Sequence, residues 1–163
     1  MTIYFGDGTT QTTAGGGKVL AKPVLGALTT PVQTGGSDGW TDLAGMSVTL
    51  SPSSSSSRIY LVCHVAIMGD TDTNSDTTYA RLRLLRGSTQ IDTGDASSNW
   101  WISRHAIVRT TSFTFCVLDH PNTTSSTTYK VQRYNPSNNR ELYIGYSKLP
   151  SNGGELWATE YEN

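Results

Sequence analysis

The stretch Arg58–Met68, "RIYLVCHVAIM", decides how this chain folds. In an extended strand, alternate side chains point to opposite faces. One face then carries Ile59, Leu61, Cys63, Val65 and Ile67, and the other carries Tyr60, Val62, His64, Ala66 and Met68. Both faces are largely apolar. A strand of an antiparallel sandwich ordinarily turns one face to water, so the second face needs cover, either from loops of the same chain or from another copy. Tyr60, Val62, Ala66 and Met68 are therefore the candidate oligomer interface. The run holding Phe113, Phe115 and Val117, with Cys116 and Leu118 opposite, repeats the pattern.

Outward from this strand, short β-prone segments alternate with polar turn clusters. Strands are expected over 19–33, 45–50, 58–68, 77–86, 89–93, 104–118, 127–134, 141–148 and 155–161. Between them lie "SPSSSSS", "GDTDTNSD", "TGDASSN", "DHPNTTSS" and "NPSNN", whose residues bond their own backbone or tolerate positive φ. No 3.6-residue apolar period is sustained, so no long helix is expected. Serine and threonine make up about a quarter of the 163 residues and charged residues only 15%, a balance that suits strands and turns. The expected fold is all-β, an antiparallel two-sheet sandwich of the jelly-roll kind with a short N-terminal extension.

The formal net charge is -1 and no basic cluster stands out, so nucleic acid is not an expected partner. No apolar run approaches the roughly 18 residues of a membrane span, and the first 30 residues show no export leader. A soluble protein made in the cytoplasm is expected. Cys63 and Cys116 sit in apolar runs without partners at metal-ligand spacing, and both are read as buried free thiols rather than a disulfide.

No recognisable catalytic or metal motif emerges. Asp70, Asp72, Asn74 and Asp76 alternate as in the first half of a calcium loop, but Ser75 replaces the turn glycine and Arg81 the bidentate glutamate. A solvated turn is the reading. His64, His105 and His120 are scattered, and Asp92 and Asp95 sit in a turn where aspartate is common. Neither an enzyme nor a cofactor is expected.

The aromatic residues are more suggestive. Trp100 and Trp101, if extended, face opposite ways, and an outward one near a loop offers a platform for a sugar ring, with Arg104 or Asn99 to bond hydroxyls. Packing in the core or against another subunit is the competing role. Arg81 and Arg83 share a strand face with Tyr79, a pattern that suits either an anionic glycan or a solvated sheet surface.

Four segments carry a resemblance: the leader "IYFGDGTTQTTA", "VTLSPSSSSSRIYLVCHVAI", "RLRLLRGSTQI" and "STTYKVQRYN". Together they resemble a family of bacteriophage structural proteins, especially of cyanophages, labelled tail fibre or tail-fibre-like. The likeness covers most of the chain and is weakest in "GDTDTNSD" and around "NWWISRHA". It implies a trimeric virion protein with an N-terminal attachment segment and a jelly-roll head that meets the host surface, glycan being its possible ligand. A decoration or cement protein of the head or neck is the alternative. A glycan-cleaving enzyme lacks a supported acid pair.

The leader itself reads as a small hairpin, "MTIYF" and "TTQTT" flanking the turn "GDG", with "GGG" at 15–17 as a hinge. This divides the chain into an attachment segment, 1–17, and a head, 18–163. Ile3 and Phe5, on one face of the first strand, with Asp7 and Gly8 in the turn, are the expected contact to another virion protein.

Overall fold

A computed structural model describes residues 3–4, 10–11, 23–28, 32–34, 39–70, 78–92, 100–102, 109–135, 141–144 and 153–161. Among these every regular element is a strand: β1 (Ile3–Tyr4), β2 (Thr10–Gln11), β3 (Val24–Ala27), β4 (Val32–Thr34), β5 (Gly39–Leu50), β6 (Arg58–Asp70), β7 (Thr78–Arg86), β8 (Thr89–Gln90), β9 (Trp100–Ile102), β10 (Arg109–Asp119), β11 (Thr127–Asn135), β12 (Glu141–Ile144) and β13 (Gly154–Tyr161). Among the described residues no helix is long and apolar enough to cross a membrane.

Two antiparallel sheets pack face to face. In the first, β6 pairs with β10 along Ile59–Gly69; its other edge takes β13 over Arg58–Val65 and β12 over Ile67–Asp70. Outside these, β3 pairs with β13 and β4 with β12. In the second, β11 lies between β5 and β7, and β7 pairs with β8 at one end and β9 at the other. The long strands β5, β6, β7, β10, β11 and β13 thus fall alternately in the second and first sheets. β3, early in the chain, closes beside β13 at its end. This is jelly-roll topology, as the turn spacing predicted.

The inward residues follow the period of two. Ile59, Leu61, Cys63 and Val65 of β6 meet Leu156 and Ala158 of β13 in the first sheet, and Leu84, Tyr129 and Val131 come from the second. On β5 the inward set is Leu43, Met46 and Val48, a change of parity. The change arises because the β5–β11 pairing jumps from Asp42↔Gln132 to Ser47↔Lys130, a bulge holding Gly45 at φ 85°. β3 approaches this bulge so closely that a Cβ on Gly26 would meet the Ser47 carbonyl and lie 2.9 Å from the Gly45 oxygen. Between β7 and β8, Gly87 at φ 59° opens a two-residue turn with Ser88, the position where a type II′ hairpin turn needs glycine.

Two polar clasps join segments distant in sequence. Tyr129 Oη donates to Asp119 Oδ2 at 2.8 Å, and Arg86 Nη1 reaches Asp119 Oδ1 at 2.9 Å and the His120 carbonyl at 3.0 Å. Asp119 ends β10 in the first sheet, whereas Arg86 and Tyr129 belong to β7 and β11 in the second. The second clasp is Glu160 of β13, whose Oε1 accepts from the Ser53 amide at 2.6 Å and its hydroxyl at 2.7 Å.

Several expectations need correction. The segment 19–33 divides into β3 and β4, and β5 begins at Gly39 rather than residue 45 because its bulge and glycines hide the alternation. β9 was not expected as a strand. Cys63 is buried, but Cys116 is exposed: its register partner is Val62, on the outward face of β6, rather than Cys63. The two thiols are free. The leader hairpin is present as β1 paired with β2 in the register Ile3↔Gln11.

Candidate functional site

The two outward faces of the sandwich differ in chemistry. On the first sheet, pairing sets Leu25, Trp157, Val62 and Cys116 in one row across β3, β13, β6 and β10, with Thr159, Tyr60 and Leu118 in the next. Leu118 is 49% exposed, Leu25 45%, and Trp157 and Tyr60 36% each. Tyr161 meets Tyr60 edge-on, 6.4 Å between centroids. The Cys116 thiol, through a hydrogen bond and then its charge, pushes the Tyr60 phenol above its ordinary range. Polar groups border the patch: Trp157 Nε1 donates to Glu155 Oε2 at 3.1 Å, and His64 Nδ1 lies 2.9 Å from Thr114 Oγ1.

Of the expected interface residues, Tyr60 and Val62 therefore lie on an apolar face, Tyr60 openly and Val62 half-buried. Ala66 does not lie open: it is 5% exposed, and its amide donates to the Gly153 carbonyl at 2.6 Å. The Met68 side chain lies outside the described residues. Leu118 extends the face, from the run whose second apolar side the sequence had marked, and Leu25 and Trp157 were not expected there, because strand pairing brings them in from separate segments.

On the second sheet the outward residues form a ladder. Trp40 and Tyr134 are register partners with ring centroids 5.5 Å apart. The Arg83 guanidinium lies 4.2 Å from the Trp40 centroid and that of Arg81 5.4 Å from Tyr134. Arg83 spends Nε and Nη2 on a single acceptor, Gln132 Oε1, at 2.8 and 2.5 Å. Gln132 passes the connection on, its Nε2 donating to Asp42 Oδ1 at 2.5 Å, and Lys130 Nζ reaches Asp42 Oδ2 at 2.9 Å. Those bonds from Lys130 and Gln132 hold the Asp42 carboxyl below its ordinary range. Flat amphipathic rings interleaved with planar cations are suited to ligands that carry both a ring and a negative charge.

β9 joins this region through its backbone. Trp100 pairs with Ala80 and Trp101 with Tyr79, at the end of β7 next to Arg81. Topology thus carries the tryptophan pair to the end of the Arg81 and Arg83 row. Asn99 and Arg104 lie outside the described residues, as do Phe5, Asp7 and Gly8 and the aspartates from 72 to 76. No group of three metal-ligating side chains occurs among the described residues. Trp40, Asp42, Gln132 and Tyr134 were missed in the sequence, although the spacing in "WTD" and "QRY" matches: each puts an aromatic two residues from a polar partner, and antiparallel pairing superposes them.

Compared with known proteins, the chain matches no protein-family model and no curated protein sequence.

Proposed function

We propose that this chain is a bacteriophage virion protein, a short tail fibre or spike whose trimeric jelly-roll head meets the host surface and whose N-terminal segment joins it to the particle. The phage assignment is supported by the likeness of the leader and three later segments to tail-fibre-like proteins. The observation that carries the assembly is the apolar face around Tyr60, Leu118 and Trp157, which a single chain leaves open. Burying such a face against other copies removes apolar surface from water at roughly 25 cal/mol per Å².

Light scattering on the purified protein tests the assembly. The expected mass is three times 17.6 kDa, and a stable monomer overturns it. Deleting residues 1–17 is expected to leave an assembled head that no longer enters the particle. Density for the protein at the tail of a reconstructed virion supports the reading, whereas density confined to the head shell makes it a decoration protein and overturns host contact.

A further inference from the structure

We propose that Arg133 is the centre of an oxyanion site between the two sheets, at the end of the sandwich where β6 and β11 finish and β5 and β7 begin. Along β11, Tyr129 and Val131 are fully buried in the core, and Arg133 is the next position of the same parity, so its stem runs inward beside Val131. Its register partners are Thr41 on β5 and Leu82 on β7. Leu43 and Leu84, the next residues of that parity on those two strands, are buried in the core as well.

Three observations point to an anion. First, the guanidinium is unmatched: Nε is buried without an acceptor, and the ion pairs among the described residues, Arg86 with Asp119 and Lys130 with Asp42, leave Arg133 out. Burial pulls this guanidinium below its ordinary range, with no carboxylate charge acting against the shift. Second, the chain shows at the opposite end of the sandwich how it matches such a group. Arg86 follows Leu84 on the inward side of β7, and there Asp119, itself only 8% exposed, takes it at 2.9 Å while Tyr129 donates to the same carboxylate. Arg133 has no counterpart of Asp119 among the described residues. A cation taken out of water without a counter-charge is costly, and an anion held beside it removes that cost.

Third, this end of the sandwich is open. Thr41 is on the inward side of β5 yet exposed, and Leu82 and Arg133 are half-buried. A planar fork, a hydroxyl directly across from it and the apolar wall of Leu82 are thus offered side by side. The fork suits two oxygens of a carboxylate, sulfate or phosphate, and the Thr41 hydroxyl suits a further bond to one of them. Other charged residues reach this end. Asp42 is held on the outer face by Lys130 and Gln132; the backbone brings Asp70 and Glu141 together at the margin of the first sheet, and Arg109 into register with Gly69. An internal ion pair from Asp70 or Glu141 is the alternative that the test separates. The site stands independently of the virion role proposed above.

The test is thermal unfolding and isothermal titration of the purified full chain with low-millimolar sodium acetate, sulfate or phosphate, the ionic strength matched with chloride. A ligand that binds only the folded form raises the melting temperature as it saturates. A saturable rise and a single binding step are expected with at least one of the three, and acetate against the other two tells a planar ligand from a tetrahedral one. Arg133→Met keeps an apolar stem and removes the charge, so it should melt no lower than the parent in chloride and lose the anion response. Arg133→Lys keeps the charge but not the fork and should bind about tenfold more weakly, the loss of one charge-assisted hydrogen bond; it also serves should the methionine variant not fold. No saturable response of the parent to any of the three anions overturns the proposal, and an Arg133→Met protein that then melts below its parent identifies an internal ion pair instead. Binding that either variant retains in full overturns it too.

Discussion

Two carboxyl groups of the sandwich are shifted in opposite directions, Asp92 upward and Glu160 downward. Asp92 is half-buried with Oδ1 unbonded among the described residues. Burial pushes its carboxyl above the ordinary 3.8, and its bonds with the nearby backbone and Gln90, with the charge of Arg83, pull it back only in part. A raised carboxyl binds its proton more tightly when folded, so the group costs stability as pH rises from its unfolded value through the folded one. Asp92→Asn is therefore expected to raise the melting temperature at neutral pH and to change nothing near about pH 3; a lowered melt at neutral pH counts against this account. At Glu160, burial also favours the neutral form but loses to the nearby Ser57 and Ser53 hydroxyls and the Ser53 amide, leaving the carboxyl below its ordinary 4.5. Of these donors, those of Ser53 have hydrogen-bond geometry. A lowered carboxyl stabilises above its unfolded value, and that stabilisation is lost as pH falls through the folded value. Urea midpoints of Glu160→Gln should be lower than the parent's at neutral pH and converge with them in acid.

Among the elements, the clasp at the end of β10 joins the two sheets. Asp119→Ala leaves the buried Tyr129 hydroxyl without its acceptor and Arg86 without its ion pair, and should cost about 3 kcal/mol in denaturant unfolding. Tyr129→Phe leaves the ion pair in place and should cost about 1 to 2 kcal/mol. Equal losses in the two variants would show that Arg86 adds nothing. The β3 contact is steric. Gly26→Ala sets a methyl against the backbone of the β5 bulge, which cannot move aside without breaking the pairing with β11, and should cost about 1 to 3 kcal/mol.

For the whole molecule, the two cysteines make a built-in probe of assembly. Burial, then the charges of Asp92 and Cys116, pushes the Cys63 thiol far above its ordinary range, so it stays unreactive in the folded chain. Cys116 is exposed in the single chain, on the same apolar face as Leu118. If that face is covered by other copies, the assembled protein should react slowly with a thiol reagent. Leu118→Asp changes a side chain already half in water, so it should spare the fold, disperse the assembly and release one reactive thiol per chain. A full, fast thiol in the parent protein would show the face to be open.

How much of this was legible beforehand depends on the range of the interaction. The period-two alternation of Ile59, Leu61, Cys63 and Val65 is a local property, because the pleat sends successive side chains to opposite faces; with the regular turns it determined an all-β sandwich and the two apolar faces of β6. The expected strand bounds 77–86 and 89–93 likewise left the two residues that turn between β7 and β8. Register is a non-local property, and only the tertiary structure decided it. Pairing Cys116 with Val62 rather than Cys63 exposed a thiol that apolar neighbours suggested was buried. Tertiary packing also buried Ala66 on a face that the alternation left open. The bulge at Gly45, which a two-residue period cannot express, reset the parity of β5, and the register then brought Trp40 and Asp42 opposite Tyr134 and Gln132, 90 residues or more further along the chain. Each of these depends on which strands become neighbours, and that choice is made by burying the whole core at once.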